Sequence, residues 1–410
     1  MIQCPKMLDE SGDKKLSIYV CLYILSTSLN TAIKIALPIS GTVWNIISYS
    51  FGIIIAISFI IALPVLFQRN GRVFIISEAV FILMYAISFV MGEAESSLLK
   101  TAAMWTLGVC IPMGIAGISI IDKTMLFRYM QTISFIEFPI LCMALLKLKD
   151  VGLYDMSTSY NMILPVTFFF YQFSKTNNIF SLLMGLIGLI LIFLFGARGP
   201  VVCIALYVFV KVFANKRNSK TLLLRLLILL IIVVIVLFWN SILKQIQIFL
   251  NNNNINSYVL NRMIDGQITE TSGRDGLWKY YIDMVLQRPL VGYGFKGGWI
   301  SSGLGPHNMI IELFLTFGVV VGGIVSIYFT YLFLISIFKR SGINGDILLI
   351  LGSYNFTMFF VSGNWLEKPL LFLFTALAIS SKVALQKTYI HNTNDLKKTH
   401  MKYKYIKAKN

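Results

Sequence analysis

Long apolar runs, broken by short polar punctuation, fill almost the whole chain. The runs lie at approximately 17–37, 43–66, 73–91, 100–121, 126–147, 157–173, 179–196, 200–214, 221–240, 307–337, 346–363 and 368–386. A helix crosses the hydrocarbon layer of a bilayer in about 20 residues, so the pattern predicts about twelve transmembrane helices. The expected fold is an all-α polytopic membrane protein. The polar opening MIQCPKMLDESGDKK gives no cleavable leader, and the tail from 387 to 410 reads as a basic extension of the 1–386 membrane domain.

One connection is long. Residues 241–305 separate the ninth and tenth spans and are too few and too polar for a core of their own. Ile242, Ile246, Phe249 and Leu250 fall on one helical face. Leu277, Trp278, Tyr281, Ile282, Val285 and Leu286 form a second and clearer stripe, with Ser272 as N-cap and Pro289 as the stop. Both read as amphipathic helices lying at the headgroup level, where Trp and Tyr belong.

Composition and charge sharpen this picture. The chain is 57% hydrophobic and only 13% charged, with a mean hydropathy of +0.77. The formal net charge of +17 sits mainly in alternate connections, at Arg69, Arg72, Lys123, Arg128, Lys175 and Lys211, and in the tail. That asymmetry follows the positive-inside rule and places both termini in the cytoplasm and the 241–305 loop outside. The excess charge records topology and contact with anionic lipid, and nothing in the chain reads as a nucleic-acid module. Of the five cysteines none falls in the long loop, so no disulfide framework is expected. Three histidines without Cys/His spacing argue against a metal site, and no cofactor motif is present.

Mixed chemistry is concentrated in SGRDGLWKYYIDMVLQRPLVGYGFKGGWISSGLGPHNMIIELF, residues 272–314. Arg274 falls in the first turn of the second amphipathic helix, where a cation is mildly unfavourable unless an anion joins it. It either pairs with Asp275 in solvent or, with the helix N-terminus, holds a phosphate. Arg288 ends the same helix, where a cation suits the dipole. Arg198 stands at the Gly-Ala-Arg-Gly-Pro corner between two spans, either snorkelling to the interface or facing a substrate. Pro306 suits a first helical turn, which places His307 near the N-terminus of the tenth span. The helix dipole there favours a neutral imidazole able to accept a proton, although an interfacial histidine without a role fits the position equally.

Taken in order, Gly-Ala-Arg-Gly, Ser-Gly-Arg…Trp, Arg-Pro-Leu-Val-Gly-Tyr-Gly and His-Asn before a Gly-Val-Val-Val-Gly-Gly span resemble the O-antigen ligase/polymerase superfamily. The resemblance covers mainly 190–325. It implies a fold similar to the metal-independent, multi-spanning glycosyltransferases that use lipid carriers. It further implies transfer of glycans from undecaprenyl diphosphate at the outer face of the bacterial cytoplasmic membrane. By motif position the family's functional arginines and histidine fall on Arg198, Arg274 and His307; Arg288 and Asn308, in the same stretch, are expected as substrate contacts.

The chemistry that the resemblance implies suits these side chains. Two arginines can stabilise the diphosphate leaving group without a metal, and a neutral histidine can deprotonate the acceptor hydroxyl. The expected activity is polymerisation of lipid-linked repeat units into capsule, exopolysaccharide or O-antigen, with lipid-linked donor and acceptor and a possible chain-length regulator as partners. The alternatives are a ligase that moves a finished glycan to another acceptor and, from another class, a repeat-unit flippase. A flippase fits less well, since no internal repeat is visible and the polar residues gather at one face.

Overall fold

The computed structural model describes residues 5–37, 41–151, 155–213, 239–252, 264, 274–299, 304–338, 342–360 and 364–381. Among them all regular structure is helical. The helices are α1 Pro5–Ala36, α2 Gly41–Met91, α3 Ser96–Ser119, α4 Lys123–Val151, α5 Met156–Asn161, α6 Ile163–Thr176, α7 Ile179–Phe195 and α8 Arg198–Phe213. They continue as α9 Trp239–Asn252, α10 Arg274–Gln287, α11 Met309–Phe338, α12 Gly342–Phe360 and α13 Pro369–Ser381. The predicted span at 221–240 lies almost wholly outside the described residues, as do Ser272, parts of the long loop and the 387–410 tail.

Five of these helices are long and apolar enough to cross a membrane. Their surfaces agree with that reading. Along α2, Ile46, Ile53, Ile60, Ile76 and Phe89 are exposed, apolar surface that water would penalise and lipid would not.

The 51 residues of α2 far exceed one crossing, and the helical backbone breaks at Asn70, with φ −142°. Partner residues show that the chain reverses there. Asn30 receives Ser48 at 3.0 Å, Tyr19 packs on Phe59, and Asp13 pairs with Arg69. Beyond the break, Asn70 donates to Ser119, Tyr85 bonds Thr106, and Ser88 accepts from the Phe295 amide. The sequence expectation of two spans either side of Arg69 therefore corresponds to the two arms of one broken helix.

The charge pattern now has a location. Arg69 with Asp13, Lys123 with Ser380, and Lys175 and Lys211 with Asp346 tie the helices together at one end of the bundle. The Asp13 carboxylate also accepts from the amides of Ile121 and Asp122. The opposite end, called here the loop end, carries the 288–299 segment docked on Ser88 and Glu93.

A second break corrects the reading of the tenth span. α11 is interrupted at Gly318, with φ +76°, a conformation open to glycine but strained for other residues. A Cβ there would meet the Leu290 carbonyl oxygen at 2.4 Å, and one on Gly322 would meet the Leu313 carbonyl at 2.6 Å. Residues 309–317 are thus a short helix folded sharply against the long remainder. Sequence periodicity could not show this, because both arms are apolar.

Candidate functional site

α10 forms where the stripe of Leu277, Trp278, Tyr281 and Val285 predicted it, and its first residue is Arg274. The stripe is narrower than expected. Tyr281 and Val285 are buried against Met284, Tyr293, Ile311, Phe314 and Leu315, while Ile282 and Leu286 are exposed. Trp278 donates its indole N–H to the Pro306 carbonyl at 2.8 Å, and Tyr281 donates its hydroxyl to the Leu304 carbonyl. The helix that begins at Arg274 is therefore fastened to the segment that leads into His307. The sequence placed both elements in one mixed stretch and did not foresee this contact between them.

His307 itself departs from expectation. Asn308 caps α11, its Oδ1 accepting from the amides of Ile310 and Ile311 at 3.0 and 3.2 Å. Pro306 and His307 precede the helix, and His307 has left-handed backbone, φ +50°. For a non-glycine residue that conformation costs roughly 1–3 kcal/mol and gathers at functional positions. Asn308 accordingly has a structural task as helix cap, whatever else it contacts. Both side chains are half-buried.

The Arg198 corner is built by a different set of contacts. Arg198 opens α8 and is half-buried. Ser159 of α5 receives the Ala197 amide at 3.1 Å, and a Cβ on Gly196 would lie 2.5 Å from the same hydroxyl. Glycine is required there by close approach. The neighbouring Phe193 and Leu194 pack under Leu243 and Leu250 of α9. The buried face of α9 is Leu243, Ile246 and Leu250, whereas Phe249, expected on it, is exposed.

Arg288 is engaged. Its guanidinium reaches Glu93 at 2.7 Å and lies 4.7 Å from the Tyr293 ring centre, joining the end of α10 to the end of α2. Backbone pairing completes that joint: Tyr293 and Gly294 donate to the Leu315 and Thr316 carbonyls, and Val319 to Pro289.

A second polar element was not foreseen. Residues 364–368, from NWLEKPL, form a turn between α12 and α13 that distant segments hold in place. The Leu366 carbonyl accepts from Thr106 at 2.7 Å and from Cys110 at 3.4 Å, both in a π-helical turn of α3. Such turns widen a helix and recur at functional positions. The Trp365 amide lies 3.4 Å from the Glu312 carboxylate, and Trp365 packs on Phe81, Phe295 and Phe317. Glu367 pairs with Lys296 at 2.8 Å. Lys296 is buried, has φ +57°, and sits 3.5 Å from the Trp299 ring centre. Burial holds the Lys368 ammonium below the ordinary lysine range, offset in part by Glu367 and Glu312. The only local signal in the sequence was an adjacent Glu and Lys between two spans.

Among the described residues, fold and site together define a helical membrane protein. Residues 182–326 match the family described as O-antigen ligase, which bears out the resemblance to the O-antigen ligase/polymerase superfamily. Members of that family are glycosyl-transferring enzymes. The matched segment contains Arg198, Arg274, Arg288, His307 and Asn308. No curated protein and no solved structure matches the chain.

Proposed function

We propose that this chain is an oligosaccharide repeat-unit polymerase of the bacterial cytoplasmic membrane. On this reading both termini are cytoplasmic, and the loop end faces outward, where undecaprenyl diphosphate presents its glycan. The observation that carries the proposal is the fastening of α10 to the 304–306 segment within the O-antigen ligase match. It joins the helix that starts at Arg274 to the approach to His307.

In the proposed reaction the acceptor hydroxyl attacks the anomeric carbon of the lipid-linked glycan. A C–O bond forms there as the bond to the diphosphate oxygen breaks. His307 takes the hydroxyl proton, and Arg274 and Arg198 stabilise the charge on the departing diphosphate. That leaving group needs no protonation, so a base and two cations suffice, and no metal is invoked. Membrane lipids form the surroundings, and a chain-length regulator is a partner this reading accommodates.

A ligase shares every step except the acceptor, and the match to the O-antigen ligase family supports it as the second reading. Incubating purified protein with a lipid-linked repeat unit separates the two. A polymerase yields a ladder of lipid-linked products. A ligase yields no ladder and needs a different acceptor to release the carrier. No glycosidic product with any acceptor would overturn both.

A further inference from the structure

Beside the 364–368 turn lies a cavity of about 150 Å³ between α1, the α5–α6 junction, α12 and the start of α13. Its walls include Tyr23, Ser28, Asn161, Asn355, Glu367 and Lys368. We infer that this cavity is a subsite for a single pyranose ring of the glycan, an inference that rests on the glycosyl-transfer reading.

Three observations carry it. The first is size: an engineered protein cavity of comparable volume binds benzene, so the space takes a six-membered ring core, and a pyranose would have to extend its exocyclic groups through the cavity mouth. The second is an unmet hydrogen bond. Asn355 is 1% exposed, and its Nδ2 donates to the Leu351 and Leu370 carbonyls at 2.8 and 3.2 Å. Its Oδ1 has no protein partner, and a buried acceptor left unpaired costs about 1–3 kcal/mol. A ring hydroxyl supplies the missing donor.

The third observation is the lining. Hydroxyl, amide, carboxylate and ammonium groups surround the space, while Leu164 and Leu370 offer apolar surface to the C–H face of a ring. Such a mixture suits a sugar and penalises a hydrocarbon. A neighbouring groove shows the contrast. It holds about 230 Å³ on the far side of the same turn and is walled by Phe81, Ile111, Ile115, Phe329 and Phe372. A lipid chain would choose the groove. Glu367, which lines the cavity, is held by Lys296, and the same turn meets Glu312, five residues after His307. The turn that walls the subsite thus also touches the helix that His307 precedes, and the subsite does not include the proposed base.

The test uses full-length protein and a defined probe, the free oligosaccharide released by mild acid from the lipid-linked repeat unit of the producing cells. Asn355→Leu and Asn161→Leu should each weaken its binding about tenfold, the effect of losing one hydrogen bond of about 1.4 kcal/mol. With the intact lipid-linked unit, both variants should raise KM and leave kcat within about twofold of wild type. Asn161 is half-buried at the end of a short helix, so Asn161→Leu carries the test if Asn355→Leu does not fold. Unchanged affinity and KM in a folded variant, or no binding of the oligosaccharide by wild-type protein, overturns the subsite. If wild-type protein still builds glycosidic bonds in that case, the proposed function stands without it.

Discussion

Two polar segments meet near the start of α11, and they differ in how much of their bonding is local. The 274–308 segment combines local bonds, from α10 to the carbonyls of residues 304 and 306 and from Arg288 to the Tyr293 ring, with docking on Ser88 and Glu93. The 364–368 turn is assembled from afar, by Thr106, Cys110, Lys296 and Glu312. The first resembles a device that presents reactive groups from a fastened loop. The second is a rigid partition between a polar cavity and an apolar groove. Substitutions in the first should therefore act on the chemical step, and those around the second on binding or stability.

The largest effects are expected in the first segment and at the Arg198 corner. His307→Ala should slow transfer by about 10²–10⁴-fold with donor binding retained, as measured by single-turnover product formation. Arg198→Ala and Arg274→Ala should each lower product by about 10²–10³-fold at matched protein levels, the scale for losing one leaving-group contact. Lysine should rescue them poorly, because it lacks the bidentate fork. Full activity of either alanine variant would return that arginine to a snorkelling role.

Glu367→Gln should behave differently. It strands the buried Lys296 cation and should cost roughly 2–4 kcal/mol, reduced by the 28% exposure of the Glu367 side chain. Thermal unfolding in detergent would show a lower Tm, and a variant as stable as wild type would break the picture of a braced turn. Trp278→Phe keeps the ring and loses the bond to the Pro306 carbonyl. It should reduce kcat by about tenfold with KM little changed. Arg288→Ala should have the smallest effect, about threefold on activity, because its partner Glu93 leaves the pair half exposed.

Periodic signals were legible in the sequence. Helix positions followed from apolar runs, the break near Arg69 from two cations between spans, and α10 from its stripe and Pro289. Tertiary overrides were not. Nothing in TFGVVVGG marks Gly318 as a reversal, since the close approach of Leu290 and Leu313 that demands glycine is set by the rest of the fold. Nor does Pro306 reveal that the helix begins only after His307, with Asn308 as cap. The 364–368 turn was opaque for a third reason: Thr106 lies 260 residues from Leu366, so no local window contains the pair.

The central claim, chemistry in the loop and recognition at the turn, is tested most directly by steady-state kinetics of His307→Ala and Asn355→Leu side by side on one lipid-linked repeat unit. The account predicts that His307→Ala loses kcat by at least about 10²-fold with KM near wild type, whereas Asn355→Leu raises KM about tenfold with kcat retained. A His307→Ala enzyme that turns over at wild-type rate, or an Asn355→Leu enzyme that loses kcat alone, would contradict that division.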